Sequence, residues 1–104
     1  MTLPSHQSDW AFDEPRNVAT LTVRQILHGG RPILLVAHAE DDGTWQFLTG
    51  GDFSVEDAML VGLDEIVAHD PTVSEIADLP LGWVAHRERI GGPWRRLRDD
   101  EDAA

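Results

Sequence analysis

The clearest pattern along the chain is the two-residue alternation of a strand. From Val18 to Val23 the run Val-Ala-Thr-Leu-Thr-Val alternates and is rich in branched residues, which predicts a half-buried strand. After Gly29-Gly30, Pro32 opens the run Ile33-Leu34-Leu35-Val36-Ala37-His38, apolar on both faces, which therefore belongs in the middle of a sheet. Asp41-Asp42-Gly43 separates it from Thr44-Trp45-Gln46-Phe47-Leu48. Asp-Gly between two such runs signals a hairpin, because tight primed turns need positive φ, so residues 33–48 are expected to form one.

Helical spacing follows. Gly50-Gly51 ends the third strand, and Ser54 with Asp57 resembles a capping box with Asp in the usual place of Glu. Met59 to Leu63 is too short for periodicity to choose between a fourth strand and a helix interior. Leu63, Ile66 and Val67 recur at helical spacing. Asp64 and Glu65 stand where the helix dipole favours anions, so a short helix is predicted over 63–69, stopped by Pro71. Thr72 and Glu75 make a second box, opening one or two turns that bury Val73, Ile76 and Leu79 before Pro80. Trp83 to Arg89, after Gly82, reads as the final strand, and Gly91-Gly92-Pro93 forces a turn or exit.

These elements sum to an α+β fold: a single domain with a four- to five-stranded antiparallel sheet and two short helices packed on it. Residues 1–17 carry Pro4 and Pro15 and no sustained period, so they are expected to form an irregular N-terminal arm, pinned to the body by Trp10 and Phe12. The α+β domain is then 18–94 and the charged C-terminal tail 95–104.

Composition narrows the chemistry. The 104 residues include no cysteine, lysine or tyrosine, which excludes a disulfide framework, a Cys-type zinc site, a lysine Schiff base and a P-loop lysine. A hydrophobic share of 41% suits a folded core. The first residues lack a basic segment followed by an apolar one, and runs such as Ile33 to Ala37 are far too short to span a bilayer. A cytoplasmic protein without membrane association is expected.

Charge changes the picture most. Nineteen acids stand against 8 arginines for a net charge of -11, and no basic residue lies between Arg31 and Arg87, where eleven acids run from Glu40 to Asp78. Binding a phosphate backbone needs clustered cations that displace counterions, so nucleic acid is not expected as a partner and a basic protein fits better. The plainer reading is that the carboxylates keep a small domain soluble.

Catalytic signatures are weak. The five histidines, at positions 6, 28, 38, 69 and 86, show no metal-binding spacing, so neither a metal nor a cofactor is expected. The segment from His38 fails as a calcium loop because its twelfth place is Thr49. No serine has a G-x-S-x-G context, and the Gly-Gly pairs build no G-x-G-x-x-G. Two classes of function remain. The leading one is a non-enzymatic acidic interaction module that meets a cationic partner through Asp41, Asp42, Asp52, Glu56 and Asp57, with Trp45 as an aromatic anchor. The alternative is a small enzyme or ligand-binding domain with a His/Asp site around His38, His86 and the 38–43 hairpin.

Several segments together resemble a known family. Asp42-Gly43-Thr44-Trp45-Gln46-Phe47-Leu48-Thr49-Gly50, Leu63 to Val67, Asp70-Pro71-Thr72 and Leu79 to Arg87 resemble a family of small bacterial domains of unknown function. The pattern of that family is G-W-x-F-L-x-G, a later D-P and a terminal P-x-G-x-A-x-x-R. The resemblance covers residues 20–90 in fixed order, with Thr44 standing between Gly43 and Trp45. Some members are grouped with immunity proteins of bacterial toxin systems. The resemblance implies an α+β fold, no established catalytic residue and an immunity-like inhibitory role.

Overall fold

Short strands separated by glycine-marked turns build one sheet in a computed structural model that describes residues 10–99. In chain order the elements are β1 (Ala19–Val23), α1 (Arg24–Leu27), β2 (Leu35–His38), β3 (Trp45–Leu48) and a 3-10 turn (Val55–Asp57). Then come β4 (Ala58–Gly62), α2 (Leu63–His69), a second 3-10 segment (Pro71–Ile76), β5 (Trp83–His86) and β6 (Arg95–Arg98).

The sheet is six-stranded in the order β4-β1-β3-β2-β5-β6 and mixed, which corrects the expectation of four to five antiparallel strands. Strand β3 folds back antiparallel to β2 and inserts between β2 and β1, so it runs parallel to β1. All other pairs are antiparallel. The sixth strand comes from residues 95–98, expected in the charged tail. Their sequence, Arg-Arg-Leu-Arg, reads as charge, yet all four residues pair with β5, and an edge strand tolerates such charge. Residues 1–9 and 100–104, the rest of the predicted arm and tail, lie outside the described residues.

One face of the sheet carries most of the core. Register aligns Phe47, Val36 and Ala85 on that face, and Trp45 with His38 beside them. His38 donates from Nδ1 to the Leu79 carbonyl at 2.8 Å and Arg87 reaches Asp70, so α2 and the 3-10 segment that follows lie across this face. They bury Leu63, Ile66, Val73 and Ile76 against it, and Leu79 just beyond them is buried as well. Helix α2 occupies the predicted span. The second cap does not: Asp70, not Thr72, opens the 3-10 segment, its Oδ1 accepting from the Thr72 N–H and hydroxyl. Trp10 and Phe12 pin the arm as expected, Phe12 lying edge-on to Trp45 at 5.1 Å.

The 33–48 hairpin forms, but not around a two-residue primed turn. Ala39 donates to Thr44 at 2.9 Å and Gly43 donates back to Ala39 at 3.0 Å, leaving residues 40–43 as the loop. A type I′ turn needs positive φ at both central residues, and here Gly43 alone has it, at 75°.

Candidate functional site

Among the candidate binding residues, the fold separates what the sequence grouped. Among the described residues no strand contains an Asp or Glu, so the described acids sit on loops and helices. Asp41 and Asp42 lie in the β2–β3 loop and Asp52 and Glu56 in the β3–β4 connection, at opposite ends of β3. Four strand residues at about 3.3 Å each put roughly 13 Å between those ends, so the two acidic pairs do not form one patch.

Trp45 is not a surface anchor. It is 1% exposed, with its ring stacked on His38 at 3.9 Å. Its place on β3 turns it to the same face as Phe47, and register overrides its closeness in sequence to Asp41 and Asp42.

Asp57 is likewise structural. Its carboxylate accepts from Gln25 Nε2 at 2.8 Å, Arg24 Nε at 2.9 Å and the Ser54 N–H at 3.1 Å. These donors, the Gln25 amide foremost and the Ser54 N–H next, hold its carboxyl down from the ordinary 3.8 to about 2. Asp57 therefore fastens the start of β4 to α1. Asp42 is also lowered, by the Thr44 backbone N–H and hydroxyl, which makes it a turn residue first.

Two surface residues that sequence reasoning passed over stand beside Asp52 and Glu56. Phe53 is 42% and Val55 88% exposed, large apolar groups in a loop whose far end Asp57 secures. An aromatic and a branched side chain in a polar segment without strand or helix period was the available signal.

The histidine alternative is not assembled. His38 faces the core at 9% exposure, while His86 pairs with Leu35, three residues before His38, and so projects from the opposite face. The acid nearest His38 is Glu14 of the arm, its Oε2 3.5 Å from Nε2, not an acid of the hairpin. No periodicity connects residues 14 and 38, so sequence reasoning had no route to that pair.

Cations gather at the β6 edge. His86, Glu88, Arg89 and Arg95 line a surface cavity of about 260 Å³, and Arg89 and Arg95 make no ion pair among the described residues. Glu88 in the wall keeps the cavity from being a uniform anion cradle. Among the described residues no group of three or more His, Cys, Asp or Glu could hold a metal ion, and no helix is long and apolar enough to cross a membrane. Comparison with protein-family models, with curated proteins and with solved structures finds no match for this chain.

Proposed function

We propose that the protein is a non-enzymatic interaction module that binds a basic protein through its β3–β4 loop. The observation that carries this reading is the exposure of Val55, 88%, and Phe53, 42%, between the carboxylates of Asp52 and Glu56. Apolar contacts ringed by charge are the common anatomy of a protein interface. The carboxylates steer a cationic partner and select against an acidic one, while the apolar pair supplies the contact that excludes water. Asp41 and Asp42, at the other end of β3, add long-range attraction without touching the same partner surface. Inhibition of a basic toxin is one task such a surface serves, and it is the role that the resemblance over residues 20–90 implies.

The test is affinity capture from the native cell extract at low salt, with the wild-type chain and with Val55→Ser and Glu56→Lys in parallel. A basic protein retained by the wild type, released by a salt wash and lost with both variants is the expected result. Retention that is indifferent to salt and to both substitutions defeats the proposal.

A further inference from the structure

The face of the sheet opposite α2, which the chain itself covers at Val23 and Leu48, shows an apolar row beside those two positions. The connection from β4 to β5 through α2 crosses on the His38 and Arg87 side, and Phe12 of the arm lies on that side too. On the other side, register lines up Leu60, Leu21, Gln46, Ala37, Val84 and Leu97 across all six strands. The other five are half-buried and Leu60 is 73% exposed. A sheet face turned to water normally alternates to polar residues. Here the row holds Gln46 alone.

We propose that a second copy of the chain packs on this face, sheet against sheet, about a two-fold axis parallel to the strands and between β3 and β2. Charge is the first argument for a second copy. Each chain carries a net charge of -11, so two copies repel wherever their acidic loops approach. The six strands hold no carboxylate, which makes this face the approach where like charge costs least. A basic partner finds no acid on these strands to pair with.

Self-complementarity is the second argument. The two-fold axis sets Leu60 against Leu97 of the other copy and Leu21 against its Val84, while the small Ala37 meets Gln46. The two Gln46 side chains then stand about one strand spacing, ~4.8 Å, apart across the axis, close enough for a rotamer change to bring their amides within hydrogen-bonding distance. Six strands at that spacing and four to five residues in length offer on the order of 400–500 Å² per copy. Less the part that the chain already covers at Val23 and Leu48, that is roughly 600–900 Å² in total, below the range of a stable interface, so the dimer is expected to be weak, with dissociation at about tens to hundreds of micromolar.

Sedimentation of the full chain from about 1 to about 500 μM tests this across the affinity range such an area supports. The expected result is a monomer–dimer equilibrium that tightens between about 50 and 500 mM salt, because screening relieves repulsion between two acidic molecules. Salt moves the β3–β4 loop association the other way, and Val55→Ser leaves the dimer unchanged, so the two proposals fail separately. Leu60→Asp, at a side chain already open to solvent, and Val84→Glu, checked for folding by far-UV circular dichroism, weaken the dimer at least ~10-fold by burying charge. A wild type that stays monomeric overturns the proposal, and so does a dimer indifferent to both substitutions. Dimerisation seen only after residues 2–9 are deleted assigns the face to that segment and overturns it as well.

Discussion

Arg87 Nη2 lies 2.8 Å from Asp70 Oδ2, with the two side chains 0% and 8% exposed, an ion pair closed off from water. The same guanidinium donates from Nε to the Ile33 carbonyl at 3.1 Å and from Nη1 to Thr72 Oγ1 at 2.9 Å, and it lies 4.1 Å from the Trp94 ring centroid. It therefore ties the end of β5 to the approach to β2 and to the junction between α2 and the 3-10 segment. Burying two charges costs several kcal/mol, which is recovered only when geometry and further hydrogen bonds are good, and removal of one partner strands the other.

Arg87→Leu is accordingly expected to cost about 3–5 kcal/mol, a large part of the stability of a domain this size. Arg87→Lys recovers little, because an ammonium group cannot span three acceptors set out for a planar fork. Urea unfolding midpoints provide the check. An Arg87→Leu protein within about 1 kcal/mol of wild type would show that the pair is dispensable.

Asp57 predicts a pH effect with a definite sign. Its folded-state pKa of about 2 is below the ordinary 3.8, so its contribution is complete above roughly pH 4 and is lost as pH falls through 2. Asp57→Asn abolishes that dependence, and the difference in melting temperature between wild type and variant should shrink steadily from pH 4 to pH 2. A difference that stays constant across this interval contradicts the assignment of the carboxylate as the anchor of α1 and β4.

Gly82 and Gly51 make a matched pair. Gly82 has φ of 82°, and a Cβ there comes within 3.1 Å of Glu40 Oε1; its N–H also donates to the His38 carbonyl at 2.7 Å. Gly82→Ala should cost about 1–2 kcal/mol for a left-handed residue with a side chain. At Gly51 a Cβ meets nothing nearer than Thr49 Oγ1 at 3.6 Å, so Gly51→Ala should change stability by less than about 0.5 kcal/mol. Thermal melts of the two variants side by side separate backbone strain from a general effect of added methyl groups.

How much of this was legible depended on the range of each signal. Alternation located β1 and the hairpin, and the spacing of Leu63, Ile66 and Val67 located α2, because each pattern is complete within a few residues. Strand order is not local, so the insertion of β3 between β1 and β2 left no trace to read. Residues 95–98 were hidden by composition, their three arginines masking the pairing of Leu97 with Val84. The burial of Trp45 was readable from its two-residue separation from Phe47, but its acidic sequence neighbours suggested a surface. The anchoring of Asp57 by Arg24 and Gln25 joins residues more than thirty apart, and no motif reports it.

Phe12 tests whether the arm belongs to the folded unit. It is buried edge-on to Trp45, which also stacks on the His38 ring, and Glu14 of the same arm faces that ring from 3.5 Å. Phe12→Ala removes an aromatic ring from a closed site and opens a cavity over Trp45, at an expected cost of about 3–5 kcal/mol. Residues 10–17 would then be part of the same cooperative transition as the sheet, and tryptophan fluorescence and far-UV circular dichroism should shift together in urea. A loss below about 1 kcal/mol, with the two probes still coincident, would place the arm outside the cooperative unit and leave the sheet and helices to fold without it.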